Sequence, residues 1–182
     1  MEIEYYATEH NMIVPFTFTK EKRGHLSGGL GHFGYDISLS GQVKTIRKHQ
    51  RPIDPSDVNE DLTAIKYSTF DLDGYILKPG EFVLAFTKER FKIPPHIVAL
   101  VKDKSTLARL AIAVQNTVLE PAWEGYLTIE ISNHGPLEII LRENMPIAQM
   151  IFFQGSEPST LYTGRYSNQS SGTTALNNDN IT

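Results

Sequence analysis

Apolar positions along this chain fall in short runs that stop at turn signals, and none shows a sustained helical period. That pattern predicts strands over helices. Strands are expected at 35–39, 82–86, 97–101, 110–114, 126–132, 137–141 and 147–153. Between them lie KPGE at 78–81, IPPH at 93–96, EPAWEG at 120–125 and NHGP at 133–136. Some seven short strands spaced by turns predict a mainly β fold, a sandwich or distorted barrel. One helical piece is expected in the second half, DKSTLARL at 103–110, where Ser105 and Arg109 stand four apart and share a face. Residues 41–66, containing QRPIDPSDVNEDL, read as an irregular excursion with little core, and no internal repeat is found. From about 155 onward apolar residues give way to Ser, Thr, Asn and Gly. On composition that tail is ordered only if it closes over something.

The 182 residues suit one domain, 1–182, with 155–182 as its tail, and 40% hydrophobic with 21% charged residues is ordinary globular composition. A net charge of -4 excludes the broad basic field of a non-specific nucleic-acid binder. A polyanionic ligand must then meet a local cluster of cations. With no cysteine, disulfides, thiol catalysis and Cys-based zinc sites are excluded. The six histidines form neither H-x-x-x-H nor H-x-E, so no zinc-hydrolase site is expected. MEIEYYATEHNM lacks a signal-peptide pattern, and no apolar stretch is long enough to span a membrane. A cytoplasmic protein without membrane or nucleic-acid partners is the expectation.

Four segments carry candidate chemistry. In YLTIEIS, 126–132, alternation puts Leu127, Ile129 and Ile131 on one face and Tyr126, Thr128 and Glu130 on the other. Glu130 is either part of a solvated outer face or a site carboxylate whose partial burial raises its pKa toward working pH. In VKDKSTLARL, the cations Lys102, Lys104 and Arg109 with the Ser105 and Thr106 hydroxyls make either an anion site or a capped helix with an ordinary charged face. KST without a preceding Gly-rich loop is not a P-loop. GHLSGGLGHFGYD, 24–36, lacks the dinucleotide spacing and is either a plain loop or a segment whose glycines serve close backbone approach or tight turns. GRYSNQSSGTT, 164–174, is either a frayed terminus or a flap over a ligand, and Trp123 reads as packing in a turn.

Taken in order, these segments resemble the dCTP deaminases of the dCTP deaminase/dUTPase superfamily. The likeness rests on NMIVPF at 11–16, LSGGLGHFGYDISL at 26–39, ERFKIPPHIVAL at 89–100, IAQMIFF at 147–153 and GRYSNQ at 164–169. Its most specific part is KSTLARLAIAVQNTVLEPAWEGYLTIEISN at 104–133. The resemblance implies a distorted, jelly-roll-like β-barrel of the dUTPase fold, forming a homotrimer with sites at subunit interfaces. It further implies deamination of dCTP to dUTP and ammonia without a catalytic metal, with Mg²⁺ only accompanying the triphosphate and dTTP as a feedback inhibitor. On the same ground Glu130 is the proton shuttle, and Ser105 and Arg109 align water, Glu130 and pyrimidine. Lys104 and Thr106 contact the triphosphate, Glu120 reads the 3′-hydroxyl, and Gln149, Arg165, Tyr166 and Gln169 close over the phosphates.

Two departures stand out. Ser38 occupies a place where the family usually has Arg, and the tail carries Arg165 for Lys with an extra residue before Gly172. Three alternatives share the fold: a bifunctional enzyme giving dUMP, a dUTP pyrophosphatase, and a non-catalytic deoxynucleotide sensor. Glu120 in place of an Asp, an acidic residue at 130 and no Phe after Phe153 weigh against the pyrophosphatase.

Overall fold

The computed structural model describes residues 2–57, 59–164 and 166–170. The chain opens on a helix, α1 (Ile3–Glu9), then β1 (Ile13–Val14), β2 (Glu21–Arg23), β3 (Leu26–Leu30) and the long β4 (Tyr35–Ile46). A 3-10 turn at Leu62–Ala64 precedes β5 (Tyr67–Asp71), β6 (Tyr75–Leu77), β7 (Phe82–Lys92) and β8 (Ile97–Asp103). A four-residue helix, α2 (Ser105–Ala108), leads into β9 (Ile112–Val114), β10 (Val118–Leu119), β11 (Glu124–Asn133), β12 (Ile139–Leu141) and β13 (Pro146–Gln154). No helix among the described residues is long and apolar enough to cross a membrane.

All strand pairs are antiparallel, and β4 is the hub of an eleven-stranded sheet. Its first residues pair with β3 and β13, with Asp36 opposite both Gly29 and Gln149. Beyond Leu39 it pairs with β7 and β5. One side then runs β13, β8, β10 and the other β7, β11, β9, so the sheet curls around its own core. Alternation drives this. Tyr35, Ile37, Leu39 and Val43 of β4 and Ile97, Ala99 and Val101 of β8 point inward and are buried.

All seven expected strands form, several of them longer than expected, and the mainly β class holds. Some bounds are corrected. The excursion begins at 47, not 41, because β4 continues to Ile46 against β5. The strands expected at 110–114 and 137–141 start at Ile112 and Ile139, and the helical piece expected at 103–110 is confined to Ser105–Ala108. The glycine-rich loop contains a strand, β3, because its backbone passes directly beneath a neighbour: a Cβ at Gly29, whose φ is +80, would lie 2.6 Å from Thr19 O.

One carboxyl is sealed inside this frame. Glu89 of β7 is buried and accepts a hydrogen bond at 3.0 Å from the backbone N–H of Ser38, one of the two departures noted above. Burial pushes it from 4.5 up to about 7, partly offset by the backbone N–H groups of Ser38 and Glu89 and by Lys88. The folded chain therefore keeps a proton that the unfolded chain releases near 4.5. Stability tied to the neutral carboxyl is complete below about pH 4.5 and is lost as pH rises through about 7. Glu89→Gln keeps an acceptor for Ser38 and removes the ionisation. It should raise the melting temperature at pH 8, by roughly 2–4 °C per kcal/mol recovered, and reduce the decline between pH 5 and 8. Thermal melts with the wild-type slope in the variant would remove Glu89 as the cause.

Candidate active site

The site is built on β11, whose pairing with β7 shifts once, between Tyr126 opposite Arg90 and Thr128 opposite Phe86, so the extra residues lie in β7. Leu127 N, opposite that irregularity, donates to Thr87 Oγ1 at 2.9 Å and stays satisfied. Ile129 and Ile131 point into the core, fully buried. Leu127, partly buried, packs against the same core and also lines a cleft together with Thr128 and Glu130.

That cleft has a volume of about 690 Å³. Its walls are mostly apolar, formed by Ile46, Phe82, Leu84, Leu119 and Trp123, and its polar groups include Asn116, Glu120, Thr128, Glu130 and Gln169. Among the described residues no Lys, Arg or His lines it. Glu130 is half-buried, and burial pushes its carboxyl from 4.5 up to about 7 against the pull of its own backbone N–H. Asn116 Nδ2 donates to Glu130 Oε2 at 2.7 Å and to Thr128 O at 2.7 Å. Gln115 N donates to Glu130 O at 2.9 Å, tying the backbone of the carboxyl's strand to the segment that follows β9.

The tail returns to the same place. Tyr162, Tyr166 and Gln169 line the cleft. Tyr126 N donates to Gln169 O at 2.9 Å, and Gln169 N donates to Glu124 O at 3.3 Å. The Gln169 side chain donates to Thr128 Oγ1. Trp123 is buried and donates through Nε1 to Tyr166 O at 2.8 Å, so its role is packing and anchoring of the tail. Gly125 makes the approach feasible: its φ is +146, and a Cβ there would lie 2.7 Å from both Gln169 N and Gln169 O.

The residues singled out from sequence divide into two groups. Glu130, Glu120, Tyr166 and Gln169 meet in the cleft. Lys104, Ser105, Thr106, Arg109 and Gln149 do not line it. Ser105 and Arg109 are exposed on α2 and its C-cap, and Arg109 Nη1 donates to Ser105 O at 3.3 Å, so the shared face is as expected. Lys104, expected at a triphosphate, is instead buried at 8% exposure, with Nζ 2.7 Å from Asp36 Oδ2 and 3.2 Å from Ser27 Oγ. Gln149 of β13 packs beneath the glycine-rich turn at Gly31 and Gly34. Arg165, Gly172 and the rest of 171–182 lie outside the described residues. Among the described residues no group of three or more His, Asp or Glu gathers as metal ligands.

Asn116 was missed from sequence. Its signal lies in the pairing: with Val114 opposite Ile131, antiparallel register carries 116 alongside the 128–130 stretch of β11.

A family model described as dCTP deaminase-like matches residues 8–155. The chain belongs to this family. A family member named dCTP deaminase from Acidobacterium capsulatum is 37% identical over 163 residues, 87% of each chain. One of the same name from Campylobacter lari is 40% identical over 157 residues, 86% of this chain and 82% of its own. Among solved structures, the 2′-deoxycytidine 5′-triphosphate deaminase from Agrobacterium tumefaciens shares the fold, with a TM-score of 0.61 at 20% identity. The alignment covers 84% of this chain, which spans 46% of that longer one.

The tail contact gives a direct test, because Trp123 is the single tryptophan. Gly125→Ala should drive Gln169 off β11, free the Trp123 indole N–H from Tyr166 O and shift its fluorescence emission to the red. Cleavage beyond residue 155 by a low dose of protease should speed up as well. Unchanged emission and unchanged proteolysis would mean that the tail stays seated by other contacts.

Proposed function

We propose that this chain is a hydrolytic dCTP deaminase, converting dCTP and water to dUTP and ammonia with Glu130 as proton shuttle and without a catalytic metal. The observation that carries the reading is a half-buried carboxyl poised at about 7 in a mostly apolar cleft. A carboxyl with that affinity both takes and returns a proton near neutral pH, which a solvated carboxylate does poorly. The names borne by the relatives that match most of the chain support the same substrate.

In this mechanism water approaches C4 of cytosine while Glu130 accepts one of its protons, and the new C4–O bond forms. Glu130 delivers that proton to N3. It then takes the remaining hydroxyl proton and passes it to the amino group, the C4–N bond breaks, and ammonia leaves as the carbonyl closes. The two protons of water are thereby accounted for. Shuttling of this kind contributes roughly 10²–10⁴ in rate, with positioning of the water supplying more.

The triphosphate needs cations that the cleft's described residues do not provide. The reading therefore includes a homotrimer in which the α2 segment of a neighbouring copy brings Ser105, Thr106 and Arg109 to the Glu130 cleft. Ser105 and Arg109 would align water and base there, and Thr106 would meet the phosphates. The charge of Lys104 is engaged by Asp36, so its part is to hold the start of α2 in place. Glu120 would read the 3′-hydroxyl, and Gln149, Arg165, Tyr166 and Gln169 would enclose the phosphates. Mg²⁺ enters with the triphosphate as part of the substrate, and dTTP is the expected inhibitor.

Incubation with dCTP and Mg²⁺, followed by chromatography, should give dUTP and an equal amount of ammonia. Products dUMP and pyrophosphate would reassign the chain as bifunctional, and dCTP bound but unchanged would make it a sensor. Glu130→Gln keeps size and loses the proton acceptor, so turnover should fall by at least ~10² while dCTP binding persists. In the wild type, kcat/KM should rise with pH as Glu130 ionises, with a midpoint near 7. Near-normal turnover by the Gln variant would sink the assignment.

A further inference from the structure

Asn116 is held in an arrangement that packing alone does not explain. Its Nδ2 reaches two acceptors, Thr128 O and Glu130 Oε2, each at 2.7 Å. A backbone carbonyl can only accept, so the amide orientation is fixed: nitrogen faces β11 and oxygen faces away. The oxygen has no hydrogen-bond partner although it is buried. A buried acceptor left unpaired is destabilising and uncommon, and such exceptions concentrate where function sets the geometry. Here the geometry it serves is that of one carboxylate oxygen.

We infer that Asn116 is a positioning residue that divides the two oxygens of Glu130 between separate tasks. Oε2 is clamped by an amide that is itself anchored on Thr128 O, which fixes the carboxyl plane. Oε1 is left to take the proton from water and hand it on. The inference rests on the deaminase reading for its chemistry and on the hydrogen bonds alone for the clamp. An unclamped carboxyl could rotate, presenting either oxygen in turn, and a small misplacement of the proton acceptor is enough to slow the reaction severely. The donated N–H also favours the charged form of Glu130, so the clamp works against desolvation. Glu120 and the hydroxyls of Tyr67, Tyr162 and Tyr166 are the other ionisable groups lining the cleft among the described residues, and Leu84 faces Glu130 across the β7–β11 ladder.

The test uses the full chain with ¹³C-labelled glutamate carboxyls, the Glu130 signal being assigned by its loss in Glu130→Gln. Asn116→Val removes the donor, and Asn116→Asp keeps the shape but replaces the donor with an acceptor. The Glu130 titration midpoint should rise by about one unit in Asn116→Val and further in Asn116→Asp. Repeating the titration in a Glu120→Gln background should preserve the difference, which assigns it to Asn116. With dCTP, kcat should fall on the order of 10²-fold in both variants, and KM should change little. A Glu130 midpoint unmoved in both variants, or a loss confined to KM, overturns the inference. If the wild type fails to deaminate dCTP, the proposed function falls, and the carboxyl titration still decides whether the clamp exists.

Discussion

Everything at this site follows from the cost of holding a carboxyl group where little water reaches it. Desolvation penalises the charged form and raises the carboxyl's affinity for a proton. The cleft surrounds Glu130 with mostly apolar walls, and one side-chain amide, that of Asn116, donates to its Oε2. The result is a group near the midpoint of its titration at working pH.

The same strand does three jobs at once. Along its second half β11 lays Ile129 and Ile131 into the core and presents Glu130 to the cleft. At its start it receives the tail through Glu124 and Tyr126. Between these parts the pairing with β7 is irregular, because β7 carries the extra residues there. Thr87, fully buried within that stretch of β7, accepts from Leu127 N and keeps the main chain satisfied where the ladder is interrupted. A threonine deep in β7 is thus connected to the strand that carries the carboxyl.

How much of this was legible in the sequence depends on whether the governing contacts are local. Strands such as β8 and β4 were readable because a short apolar or alternating run bounded by turn residues is encoded locally. β3 was not, since its glycines mark close passage beneath residues 17–19, a tertiary fact. Glu130 stood out as a lone acid in a patterned strand, yet the sequence left open whether it faced solvent. Only burial decided that. Lys104 looked like a free cation in a basic cluster, and its pairing with Asp36, far away along the chain, could not be seen. Asn116 had no local signal at all, because its meaning comes from the β9–β11 register.

The way the tail is seated bears on which changes it can absorb. Tyr126 N to Gln169 O, Gln169 N to Glu124 O and Trp123 Nε1 to Tyr166 O all end on main-chain atoms of the tail. Contacts of that kind read where the backbone runs, so exchanges of residue type elsewhere in the segment leave them in place. Gln169 is the exception, because its side chain is buried and donates to Thr128 Oγ1. An insertion or deletion between Tyr166 and Gln169 would set the Trp123 anchor against the β11 anchor. The spacing of those two points, together with one side chain, is what this part of the chain has to preserve.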